Sequence, residues 1–106
     1  MDQRVATILA ELRARFVEVY GDRMVHLVLF GSQARGDAVE GSDIDVLVVL
    51  RGEVEPWTEI SRTSDIAVEI SLRHNVVVSR VFVSLDRYLE ERTPLLMNVR
   101  REGVLA

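Results

Sequence analysis

The sequence predicts an α/β fold of the α+β kind, a small mixed β-sheet covered by helices, and three observations lead there. A chain of 106 residues, 48% hydrophobic and 28% charged, has room for one core and the composition of an ordinary globular protein. Short, nearly continuous apolar runs rich in β-branched residues alternate with longer stretches of three- and four-residue apolar spacing, the marks of buried strands and amphipathic helices. Gly, Pro and Asp punctuate the boundaries between them.

From Asp2 to Tyr20 the apolar residues Val5, Ile8, Leu9, Leu12, Phe16 and Val19 define one helical face. Asp2 is placed to cap that helix and Gly21-Asp22 to end it. Met24–Phe30 then reads as a strand buried on both faces, with His26 as a strand-edge or satisfied core residue. Asp43–Leu50 is a second strand, followed by a turn at Arg51-Gly52 and by Pro56, which suits the first turn of a helix. On that helix Trp57, Ile60, Ser64, Ala67, Val68, Ser71 and Leu72 share a face, which is expected to pack on the sheet. Ile66 and Ile70 lie on roughly the opposite side and are expected to form an association surface, either with a second copy or with a partner. Val76–Val83 makes a third strand, Leu85–Glu91 a short helix, and Pro94–Glu102 a last helix closed by Gly103.

Charge and composition exclude several classes of function. Seventeen acidic against thirteen basic residues give a net charge of −4, contrary to a broad nucleic-acid footprint. The chain has no cysteine, so disulfides and thiolate metal sites are excluded and any metal must be held by carboxylate, imidazole or backbone oxygen. A hard cation such as Mg²⁺ suits those ligands. The first twenty residues hold no apolar run fit for a signal peptide or membrane span, so no membrane association and a cytoplasmic location are expected.

Chemistry is concentrated in one stretch. The segment Leu29-Phe30-Gly31-Ser32-Gln33-Ala34-Arg35 leaves a buried strand through a glycine and enters a helix-competent run, a geometry that suits anions. Gly31 lets the backbone come close to a phosphate, Ser32 offers a hydroxyl and an amide, and Arg35 could add charge-assisted contacts one turn later. The next strand carries Asp43 and Asp45 at a spacing of two, which points both carboxylates to one face while Ile44, Val46 and Val48 point to the other. Two acids aimed together repel each other, and a bound cation is the natural compensation. A dicarboxylate beside a phosphate-cradling turn can hold a metal-bound nucleoside triphosphate for in-line displacement.

The run GSQARGDAVEGSDIDVLVVL resembles the signature of the minimal nucleotidyltransferases of the DNA polymerase β superfamily, in which Gly-Ser is followed by ten residues and then Asp-x-Asp. The resemblance implies a polymerase β-type nucleotidyltransferase fold, with residues 1–106 as a single such domain. It assigns nucleotide binding to Gly31 and Ser32, with Arg35 beside them, and both metal binding and catalysis to Asp43 and Asp45. It implies Mg²⁺ or Mn²⁺ as cofactor and ATP as substrate. It further implies an antitoxin-like role beside a small helical HEPN-type partner, with AMP transferred to a tyrosine of that partner.

Active members of the superfamily usually carry a third carboxylate on the neighbouring strand. Here Asn75–Ser84 contains none, and Arg80 is a candidate to pair with Asp43 or Asp45 instead. A fold kept for partner or nucleotide binding without catalysis is therefore the alternative. Asp65 and Glu69 read as a salt-bridge stripe with Arg62 and Arg73. His74 reads as a cation near a helix C-terminus, and Tyr20, Trp57 and Tyr88 as packing residues.

Overall fold

The computed structural model describes residues 2–39 and 41–106. Asp2 caps the first helix, α1 (Gln3–Tyr20), accepting from the Arg4 and Val5 amides. The apolar stripe of α1 is buried as expected from Val5 to Phe16, but the last member is Tyr20, and Val19 lies outside. A 3₁₀ turn, Gly21–Arg23, leads into β1 (Met24–Phe30). A single helical turn, α2 (Ser32–Arg35), follows, and then β2 (Ile44–Leu50). The remaining elements are α3 (Pro56–His74), β3 (Val78–Ser84), α4 (Leu85–Glu90), α5 (Pro94–Glu102) and a two-residue strand, β4 (Val104–Leu105).

The sheet is mixed, in the order β3-β2-β1-β4. β1 runs antiparallel to β2 and to β4, whereas β2 and β3 are parallel, with α3 as the crossover between them. The C-terminal end of β1 and the N-terminal ends of β2 and β3 therefore meet at one end of the sheet.

Alternation along the central strand feeds two cores. Ile44, Val46, Val48 and Leu50 pack with α1, α3 and Phe82. Leu47 and Val49 pack with Leu96 and Val99 of α5 and with Leu85 and Tyr88 of α4. The sheet is thus covered on both faces, which is why β1 and β2 read as continuous apolar runs.

The helix α3 is rotated from its expected orientation, so that of the apolar residues on the face expected to pack only Ala67 is buried and Ile60 partly so. Its buried residues are Glu59, Thr63, Ile66, Ala67 and Ile70, while Trp57 and Leu72 are each 78% exposed and Val68 is exposed as well. Ile66 and Ile70 are core residues and cannot form an association surface, and Trp57 is not a packing residue. The reason lies in a polar patch that the core accepts. Tyr20 Oη donates to Glu59 Oε1 at 2.8 Å, Arg62 lies 3.7 Å from Glu59, and Thr63 Oγ1 donates to the Glu59 carbonyl at 2.9 Å. Once Glu59 and Thr63 are satisfied inside, the face carrying Ile66 and Ile70 is the one that buries. Burial, and then the hydrogen bond to Glu59, push the Tyr20 hydroxyl pKa well above its ordinary value.

Glu69 pairs with Arg73 at 2.6 Å, the one pair of the expected stripe that forms among the described residues, and with Arg15 at 2.5 Å, which ties α3 to α1. Arg62 turns instead to Glu59. His74 meets Glu11 at 3.1 Å. Among the described residues no helix is long and apolar enough to cross a membrane.

Candidate active site

Gly31 follows the last residue of β1 and adopts φ 74° and ψ −158°, a conformation essentially confined to glycine. Its carbonyl accepts from the amides of Ala34 and Arg35, both at 3.1 Å, which closes the single turn α2. The amides at the start of such a turn have no partner within it and face outward. Phe30 is the register partner of Asp45, so the glycine turn and the acidic strand entrance are neighbours. How close they come is shown by the space at Gly31: a Cβ there would lie 2.3 Å from Asp45 Oδ2. The absence of a side chain at Gly31 is what lets the Asp45 carboxylate lie against the turn.

Asp43 is exposed and immediately precedes β2, while Asp45 is half-buried one residue inside it. Burial raises the Asp45 pKa above the usual carboxylate value, and the negative charge of Asp43 raises it further. Arg35 opposes that shift. Its guanidinium lies 3.2 Å from Asp37 and 3.8 Å from Glu102 at the end of α5. The structure thus brings together all five residues singled out in the sequence, Gly31, Ser32, Arg35, Asp43 and Asp45, at one end of the sheet. It adds Glu102, which no local sequence signal marked.

Arg80 does not join them. It is in register with Val46, one residue past Asp45, and alternation sends it to the opposite face of the sheet. There its Nε donates to Thr63 Oγ1 at 3.0 Å and its Nη2 to the Ile60 carbonyl at 3.2 Å. Burial lowers its pKa. The residue opposite Asp45 on β3 is Ser79, and the next on that face is Val81. Among the described residues no cluster of three or more Asp, Glu, His or Cys could hold a metal.

Two concavities flank α2. One, of about 590 Å³, is lined by residues including Arg4, Gln33, Ser42 and Asn75, and the other, of about 460 Å³, by residues including Gln33, Arg35 and Val104. Neither is lined by Asp43 or Asp45.

A family model for the nucleotidyltransferase domain matches residues 8–96. The chain belongs to that family. It is 34% identical over 104 residues to a Methanocaldococcus jannaschii protein provisionally named protein adenylyltransferase MJ1305, covering 93% of this chain and 69% of that protein. A second protein of that organism, similarly named MJ0141, is 31% identical over 77 residues, 73% of this chain and 77% of its own length. A crystal structure of a toxin-antitoxin with AMP-PNP superposes with a TM-score of 0.63 at 18% identity, over 91% of this chain and 69% of the other. A nucleotidyltransferase structure from Sulfolobus solfataricus superposes with a TM-score of 0.60 at 21% identity, over 99% and 87%. These likenesses agree with the mixed-sheet fold of this nucleotidyltransferase domain.

Proposed function

We propose that this nucleotidyltransferase domain binds ATP with a divalent cation at the Gly31 turn and the Asp43–Asp45 pair, and transfers AMP to a hydroxyl of a partner protein. The observation that carries this reading is the contact between turn and acid, in which the carboxylate of Asp45 occupies the space a side chain at Gly31 would fill. Triphosphate on the turn would then lie next to the acids. Asp43 and Asp45 fit a hard cation because they are mutually repelling carboxylates with little local compensation beyond Arg35. When bound, Mg²⁺ or Mn²⁺ would neutralise charge on the phosphates during in-line displacement.

In the reaction the acceptor hydroxyl oxygen forms a bond to the α-phosphorus as the bond to the oxygen bridging the α- and β-phosphates breaks, pyrophosphate leaves, and the hydroxyl proton passes to water. The amide and hydroxyl of Ser32 and the guanidinium of Arg35 hold the phosphates, while Asp43 and Asp45 would hold the cation that offsets their charge. The names of the relatives and of the toxin-antitoxin structure support a protein acceptor. The resemblance points more narrowly to a tyrosine of a small helical HEPN-type protein, with this chain as its antitoxin.

The second reading, nucleotide binding with little or no turnover, is favoured by Ser79, which stands across from Asp45 where a third carboxylate could complete the site. A thermal-shift titration with Mg-ATP tests binding. At a hundredfold excess over Kd the fold should gain about 2.7 kcal/mol, a rise on the order of 10 °C, and Asp45→Asn should lose most of it. No shift in the wild type, or an equal shift in the variant, would refute the site. Incubation with labelled ATP, Mg²⁺ and the product of the adjacent gene then distinguishes transfer from binding alone.

A further inference from the structure

The outer surface of α5 carries a concentration of positive charge that the nucleotide site does not use. α5 buries Leu96 and Val99 and turns Met97, 51% exposed, together with Arg100 and Arg101 to solvent. A shallow groove of about 440 Å³ is lined there by Arg92, Met97, Arg100 and Arg101, with no carboxylate among its lining residues. Arg100 is fixed in place, its Nη1 and Nη2 each donating at 2.5 Å to the carbonyls of Tyr88 and Glu91. Those acceptors are neutral, so the charge of Arg100 is positioned but not cancelled. Arg101 donates to Asn98 at 2.8 Å and lies 3.4 Å from Glu102, and Arg92 has no ion-pair partner among the described residues. In a chain of net charge −4 this is a local reversal of sign.

The groove also adjoins the nucleotide site. Glu102 lies between Arg101, at 3.4 Å, and Arg35, at 3.8 Å, and the charge of Arg35 reaches Asp45. Glu102 thus links Arg101 of the groove to Arg35 of the glycine turn.

We propose that this groove docks an acidic segment of the acceptor protein, its carboxylates against Arg92 and Arg101 and an apolar side chain on Met97. This deepens the transferase reading and rests on it. The exposed thioether favours a protein over a nucleic acid, because the groove's lining offers no aromatic ring on which a base could stack.

The test is fluorescence anisotropy on the full chain, without nucleotide, using three labelled probes of equal length. These are a peptide of Glu and Leu with one Tyr, the same peptide with Lys for Glu, and a single-stranded oligodeoxynucleotide. The acidic peptide should bind, more weakly as salt rises. Arg92→Glu combined with Arg101→Glu, both at exposed positions, should weaken it by about tenfold or more, while Arg13→Glu on α1 should leave it unchanged. Melting curves establish that the variants are folded. Equal binding of the lysine peptide, or indifference to the double reversal, overturns the proposal. Preferential oligonucleotide binding that the double reversal removes also overturns it, and assigns the groove to nucleic acid. Because no nucleotide is present, failure of the transferase reading would leave this titration unaltered, and failure of the titration would leave AMP transfer unaltered.

Discussion

Replacing Gly31 by alanine tests the most specific contact of the site. Two costs add. The backbone at φ 74° and ψ −158° is essentially closed to residues with a side chain, and holding one there costs about 1–3 kcal/mol. The new methyl would also lie 2.3 Å from Asp45 Oδ2, an overlap worth about 1–3 kcal/mol unless the carboxylate swings away from the turn. The sum, roughly 2–6 kcal/mol against a typical domain stability of about 5–15, should lower Tm by about 8 °C or more in a chain of this size. The two costs separate in a double-mutant cycle with Asp45→Ala. That change removes the oxygen but keeps Asp45 Cβ, which at 3.5 Å from the added methyl is an ordinary contact. In that background Gly31→Ala should cost only the backbone part, giving a coupling of about 1–3 kcal/mol by urea denaturation. Equal costs in both backgrounds would refute the idea that close packing on Asp45 demands the glycine.

Asp45→Asn should raise the Tm of the ligand-free protein at neutral pH while removing nucleotide binding. The folded pKa of Asp45 lies above its unfolded value, so its contribution favours the fold below the unfolded pKa and is lost as pH rises through the folded one. The gain in the variant should accordingly shrink as pH falls through the carboxylate range, and a constant gain would contradict the assignment. Tyr20→Phe leaves Glu59 without its buried donor and should cost about 1–3 kcal/mol by chemical denaturation. Ile70→Ala should cost about 2–5 kcal/mol and Leu72→Ala less than about 0.5, and the reverse order would restore the discarded orientation of α3. Ser79→Asp should increase AMP transfer at least tenfold if a missing acid limits turnover, since general-base groups contribute ~10²–10⁴.

Where one periodicity governed a segment, the sequence was easy to interpret. α1, β1 and β2 follow from their apolar spacing, and alternation along β2 correctly placed Ile44, Val46 and Val48 together on one face. α3 was ambiguous because it is apolar on two sides. Its inner face also contains Glu59 and Thr63, whose polarity argued for solvent until Tyr20, far away in sequence, supplied a partner. β4 has only two residues and exists because β1 has a free edge, which no local pattern signals. The position of Arg80 depended on register: one step along β3 separates the residue facing Asp45 from the residue behind the sheet.

The two sides of the site are unequally anchored. Asp45 stands near the start of the strand that is hydrogen-bonded on both flanks and almost wholly buried, whereas Ser32 and Arg35 belong to a single turn with no buried residue. Opening β2 requires breaking the sheet, so its amides should exchange only with global unfolding, while those of α2 should exchange through local motion. The proposed nucleotide site would therefore work as a vise with one fixed jaw and one compliant jaw. A nucleotide gripped between them would slow exchange on the turn and leave the acidic strand as it was.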